Sequence, residues 1–244
     1  LDYVFMSDNH GDHSLLFPLV VKRGFTGNAY VPQGFVDIFK PMALDSANIM
    51  ERNALDLTKK MKRNYPPIYE SQDVYNALDK LHECNFNEKI KLDDEVTVEF
   101  IPAGHTIHSS SIILYIKNGN TTRKIAFTGD MGNIAMPRMY TNTFQPIQSA
   151  NLLVSETTYA DAKRSANGKD REKDVEKIKS IVYDYAIDRK GGQILFPTFS
   201  FMRTQIILSL LYDLFYDDEK FTCPIYVASP LACKICDIFD THLS

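Results

Sequence analysis

Cysteine is scarce in this sequence, with four in 244 residues at Cys84, Cys223, Cys233 and Cys236. That excludes a disulfide-stapled scaffold and fits a reduced, cytoplasmic setting, since nothing in the chain reads as a secretory leader. No apolar run approaches the ~20 residues that a membrane-spanning helix needs. Twenty-seven basic residues against 31 acidic ones leave a net charge of −4. There is therefore no global basic field to attract nucleic acid, and any pull on phosphate must come from a local site or a bound metal. Internal repeats and low-complexity segments are also absent.

What the chain does have is an ordinary globular composition, 44% apolar and 24% charged. It has ample material for a buried core in one large or two small domains. "LDYVFMS" reads as a buried strand, followed by a helix through "SLLFPLVVKRGF" to Gly24 and a short strand "NAYVP". "FKPMALDSANIMERNALDLTKKMKRN" has helical spacing and a basic carboxyl end, and "SQDVYNALDKLHEC" predicts another helix capped by Ser71 or Asp73. Strands "EVTVEFIPA", "SSIILYIK", "KIAFTGD" and "NLLVSETTYA" follow, with a hairpin turn at Asn118–Asn120. From Lys163 a charged linker feeds an amphipathic helix stopped by Gly191–Gly192. "QILFPTFS", "TQIILSLLYDLFY" and "CPIYVASPL" then suggest strand, helix, strand in a parallel unit. These changes of texture predict a boundary near residue 160, dividing 1–160 from 161–244. The abrupt opening strand and the last helix read as a fragment clipped at both ends. "CKIC" has redox or zinc spacing but lacks a second pair, and is read as two buried thiols on a helix.

Three polar clusters each follow a hydrophobic strand: "SDNHGDH" from Ser7, "AGHTIHSSS" from Ala103 and "FTGDMGN" from Phe127. Side chains at neighbouring strand ends can converge, which would bring His10, Asp12, His13, His105 and Asp130 into one pocket. Imidazole with carboxylate suits zinc, or manganese and iron less tightly.

"HGDH", then "AGH", then "TGDMG" resemble the metallo-β-lactamase superfamily, whose pattern is H-x-H-x-D-H, a later H and a still later D. "ALDSANIMERNA", "YESQDVYNALDKL", "VSETTYA", "GGQILFPTFSFMRTQ" and "PIYVASPLA" resemble its β-CASP branch of RNA- and DNA-processing nucleases. The resemblance implies an α/β (α+β) fold, a truncated metallo-β-lactamase αββα sandwich with the start of an inserted β-CASP α/β domain. It implies two zinc ions, with manganese an alternative, and hydrolysis of phosphodiester bonds in RNA, with single-stranded DNA a lesser substrate. His10 and His105 then match ligands of one metal, Asp12 and His13 ligands of the second, and Asp130 the carboxylate bridging both. Asp8 stands where the family has a histidine and joins the set as a metal ligand. Catalysis would fall to Asp12, which orients the attacking hydroxide. It would also fall to Glu156, matching an acid that steers a distant histidine; its rival role is to cap the following turn. The branch commonly forms homodimers.

His108 replaces a small residue of the family pattern and is read as a surface side chain, while His82 and His242 are read as structural. Arg203 contacts substrate phosphate or pairs with an acid on the next helix. Two rivals to the nuclease remain: a hydrolase of small esters or thioesters, and a catalytically silent scaffold, which Asp8 favours.

Overall fold

The computed structural model describes residues 1–132, 143–160, 169–188 and 192–243. The chain divides into two compact units, Leu1–Glu156 with Lys234–Ser244, and Thr157–Cys233.

The first unit begins with strand β1 (Tyr3–Phe5), a helical turn α1 (Gly11–Ser14) and helix α2 (Phe17–Lys22). Strand β2 (Asn28–Pro32), the long helix α3 (Phe35–Met61) and helix α4 (Ser71–Leu78) follow, then strand β3 (Leu81–Cys84). The three strands form a parallel sheet in the order β1-β2-β3. Helix α3 buries Phe35, Ile38, Phe39, Ala43 and Ala47 along one stripe, because residues three and four apart share a helix face. Of these, Phe35, Phe39, Ala43 and Ala47 pack with Phe17, Val31 and Tyr69 into the main core. The Tyr69 hydroxyl, carried into that core, bonds Ser46 at 2.9 Å, so burial leaves no orphaned donor there.

A second, five-stranded sheet runs β4 (Lys89–Lys91), β5 (Val96–Pro102), β6 (Ser110–Asn118), β7 (Thr121–Phe127) and β8 (Leu152–Val154) in that spatial order. In β5, Val98, Phe100 and Pro102 are buried at every second position, the period that a pleated strand imposes. β5, β6 and β7 are successively antiparallel, and β7 pairs β8 in parallel. The carboxyl ends of β5, β7 and β8 therefore reach the same edge of the sheet as the amino end of β6. The predicted hairpin is present, with Asn118 opposite Thr121 across Gly119 and Asn120. The backbone N–H of Ser110 donates to the carbonyl of Ser7 at 2.8 Å, and its hydroxyl does so at 3.0 Å. This brings the exit of β1 to that same edge. A mixed fold of helices packed with sheets, as expected for the α+β class, thus collects four chain segments at one place.

In the second unit, α5 (Lys169–Val182) continues as one π-helical turn (Tyr183–Ile187), and α6 (Arg203–Phe215) follows. Val182, Leu211 and Phe215 form its small core. The last helix, α7 (Pro230–Leu243), leads back to the first unit.

Several local expectations are corrected. "LHEC" is strand β3 and not the end of α4; its pairing with β2 decides, which local periodicity cannot reveal. The cap of α4 is Glu70 in a reciprocal capping box with Asp73, while Ser71 N–H and Oγ both donate to Glu51. "QILFPTFS" (193–200) and "CPIYVASPL" (223–231) are expected as strands but join no ladder among the described residues, and Pro230 and Leu231 open α7 instead; a strand exists only through its partner. Cys233 and Cys236 do lie on a helix, yet Cys233 is exposed and Cys236 only half-buried. The buried stripe of α7 falls one position earlier, at Ala232, Ile235 and Phe239. The linker at 161–168, with Lys163, and Gly191 of the expected helix stop lie outside the described residues, as does Asn133 of the third polar cluster.

Candidate metal centre

The convergent edge carries the acids and histidines. After β1 the chain passes Asp8 and reaches His10, which precedes the helical turn α1; the backbone N–H groups of His13 and Ser14 close on the His10 carbonyl. This single turn carries Asp12 and His13. His105 follows Gly104 after β5, and Asp130 follows Gly129 after β7. Gly129 has φ 57°, and a Cβ placed there would lie 2.8 Å from the Ser7 Cβ and 3.0 Å from the Ser110 carbonyl. Only glycine lets the β7 exit approach the β1–β6 junction so closely.

Two overlapping groups result. Asp8, His10 and His105 can each bring one ligand atom within 4.8 Å of the others, and so can Asp8, His13 and Asp130. The His10 and His105 rings are 5.1 Å apart between centroids. Asp130 Oδ2 is 3.4 Å from His13 Nε2 and 3.7 Å from His105 Nε2. The resemblance gives the bridging carboxylate as Asp130; in this geometry Asp8 also reaches both groups. Asp12 belongs to neither group. Its carboxylate lies 3.6 Å from His13 Nε2 but is 81% exposed.

Asp8 is 1% exposed, and its Oδ1 accepts the His10 backbone N–H at 2.8 Å. Oδ2 is 3.6 Å from His10 Nδ1 and accepts no hydrogen bond. A buried carboxylate oxygen left without a donor, facing imidazole nitrogens, is what a divalent cation would satisfy. The residues present therefore fit a cation of the zinc or manganese type.

The charges are coupled. Burial pushes the Asp8 carboxyl up, but the adjacent His10 imidazole, the His13 charge and the His10 backbone N–H together outweigh it and hold it below the usual range. Burial pushes His10 down, and Asp8, Asp12 and Asp130 together raise it above its ordinary value. His105 is lowered, mainly by burial, with His10 adding to the effect against Asp8, Asp130 and Glu156.

Glu156 leaves β8 at the same edge. Its Oε1 accepts the Met131 backbone N–H at 2.9 Å and its own N–H donates to Thr128 Oγ1 at 3.1 Å, so it braces the loop that presents Asp130. His82 lies on β3, bonded to Asn28 and beside Tyr30, a structural role on a strand. Arg203 is exposed at the start of α6. His108 is not a surface side chain. It is half-buried and bonded to His242, which is bonded in turn to Asp37. Asp37 gave no signal in the sequence, being one acid on a polar helix face. Ser109 was also missed, although "HSSS" marks it: its Oγ accepts the N–H groups of both His105 and Thr106.

No family model matches the chain. Among relatives, a ribonuclease of Thermus thermophilus is 24% identical over 239 residues, covering 98% of this chain and 49% of that protein. An endoribonuclease of Schizosaccharomyces pombe is 24% identical over 249 residues, covering 100% of this chain and 30% of that one. An RNase of Saccharolobus solfataricus is 33% identical over 159 residues, covering 65% of this chain and 29% of its own length. The chain thus spans half or less of the relatives it matches. No described helix is long and apolar enough to cross a membrane. Acids and histidines in this motif order converge at one sheet edge, and along its length the chain is similar to ribonucleases and endoribonucleases, as its resemblance to the β-CASP branch of the metallo-β-lactamase superfamily implies.

Proposed function

We propose that the protein is a metal-dependent nuclease that hydrolyses phosphodiester bonds in RNA. The observation that carries this reading is Asp8, a buried carboxylate shared by two histidine–carboxylate groups, with one oxygen that accepts no hydrogen bond. Asp8, His10 and His105 would hold one cation, and Asp8, His13 and Asp130 the other, with zinc favoured by the imidazoles and manganese the alternative. Such cations supply Lewis-acid polarisation of a phosphoryl oxygen and lower the pKa of a water toward ~7. Asp12, exposed beside His13, would orient that water and accept its proton. Glu156 keeps Asp130 in place through Met131 and, as in the family, would steer a distant histidine toward the leaving group.

Uncompensated, the cluster's carboxylates repel phosphate, and the net charge of −4 supplies no global field to offset that. Substrate binding and cleavage should therefore both depend on cation. RNA rather than DNA is supported by the relatives named for it, a ribonuclease of Thermus thermophilus and an endoribonuclease of Schizosaccharomyces pombe. The metal-holding domain would run to about residue 160, with the β-CASP domain beginning there. A homodimer is part of this reading, and a reducing, cytoplasmic setting suits four free thiols. The test is metal analysis of the full-length protein with cleavage of end-labelled single-stranded RNA, with and without chelator, and a DNA strand alongside. Bound zinc or manganese with chelator-sensitive RNA cleavage is expected. Protein without bound cation and without chelator-sensitive cleavage would overturn the reading.

A further inference from the structure

His108 adopts φ 60°, in the left-handed region that glycine enters freely and residues with a Cβ avoid. Something must hold it there, and two features do. A Cβ at Gly34 would lie 2.5 Å from the His108 ring, so the ring's seat exists only because residue 34 is glycine. The His108 Nε2 is 3.0 Å from His242 Nδ1, and His242 Nε2 is 2.9 Å from Asp37 Oδ2. An ionised carboxylate only accepts, so His242 donates from Nε2 to Asp37; a single proton between His242 Nδ1 and His108 Nε2 completes the relay. The relay joins α7, α3 and the segment between β5 and β6.

That segment also carries His105, three residues before His108. It is closed on itself: Ala103 N–H donates to the Ser109 carbonyl at 3.0 Å, and Ser109 Oγ accepts His105 N–H and Thr106 N–H, each at 2.9 Å. A segment bonded internally in this way moves as a piece, so whatever fixes His108 also fixes His105. Burial supports a neutral His108, lowering it to about 4.

We infer that the Asp37–His242–His108 relay is a positioning device, which holds the His105 segment so that its imidazole stays within reach of Asp8 and His10. This rests on the reading of that cluster as a metal centre. The relay touches neither the cluster nor substrate in the hydrogen bonds described; it acts through His105. It also accounts for a histidine at a position that otherwise calls for glycine: the anchor is what makes the side chain tolerable.

The test uses the full-length protein with His242→Ala, His108→Gly and the double substitution. Two readouts are needed: Co²⁺ affinity followed by its visible absorption, and hydrogen exchange at the His105 and Thr106 amides without metal. His242→Ala should weaken Co²⁺ binding about 10- to 100-fold, as loss of an orienting partner does, and speed exchange at both amides. His108→Gly should stay near the parent, because glycine adopts φ 60° without an anchor. The double variant should resemble His108→Gly, so that the second substitution restores what the first lost. Asp37→Ala, at a side chain 63% exposed, carries the same comparison if His242→Ala does not fold. Unchanged exchange in His242→Ala, or a double variant no better than His242→Ala, would overturn the inference. A parent that binds no Co²⁺ would instead sink the metal reading, and the exchange rates would still decide the relay.

Discussion

Asp8 and His10 are linked twice: the His10 backbone N–H donates to Asp8 Oδ1 at 2.8 Å, and His10 Nδ1 lies 3.6 Å from Oδ2. The first contact fixes the carboxylate plane, and the second brings the remaining oxygen to the imidazoles. A residue departing from its family's histidine thereby occupies the common point of both ligand groups.

Asp8→Asn keeps the acceptor for His10 N–H and removes the charge. Zinc at a hundredfold excess over its dissociation constant should stabilise the parent by about 2.7 kcal/mol. In the variant that metal-induced rise in Tm should largely vanish, while the metal-free Tm changes much less. Thermal melts with and without zinc decide it; an undiminished zinc response in Asp8→Asn would remove Asp8 from the ligand set.

Acidification should destabilise the protein through His108. Burial, and then the His242 charge, hold it at about 4 against an ordinary 6.5, with Asp37 opposing. The folded-state value is depressed, so the unfolded chain takes up a proton near 6.5 and the folded chain only near 4. Stability contributed by the neutral ring is present above 6.5 and is lost as pH falls from there toward 4. The groups around it are Asp37, His242 and Glu83, which share its cleft. Urea midpoints at pH 7 and pH 5 should fall more in the parent than in His108→Gly. Identical slopes would mean that His108 is not the titrating group.

Gly129→Ala tests the close approach at the convergent edge. The new Cβ would meet Ser7 and the Ser110 carbonyl while the backbone remains at φ 57°. A loss of about 1–3 kcal/mol is expected, with weaker cation binding because Asp130 is the next residue. Gly119→Ala is a control, at φ 59° with nothing within 4 Å of the added carbon. It shares the backbone strain, so the difference between the two variants isolates the steric contact; equal losses would show that the approach of Ser7 is immaterial.

The pattern of β5, β6 and β7 was legible because alternation and a glycine-bearing turn are local signals. The positions of His10, His13, His105 and Asp130 were legible for a related reason, since each follows a strand that the sequence marks. Strand β3 was not: four residues carry no period, and their partner lies some fifty residues earlier in β2. The same limit hid the relay, whose histidines are 134 residues apart. Both CKIC thiols were misjudged because an apolar neighbourhood in sequence does not tell which side of a helix faces inward.

Ser110 grips the carbonyl of Ser7 across 103 residues of chain. The candidate ligands near residue 10 and those at 105 and 130 are therefore strangers in an unfolded polypeptide, each an isolated weak donor. Only when both sheets have formed, and that long loop is closed, would they act as one chelate. Cation uptake should then behave as an audit of completed folding. A substitution in either sheet, even one far from any ligand, should lower apparent affinity in proportion to the unfolded population it creates.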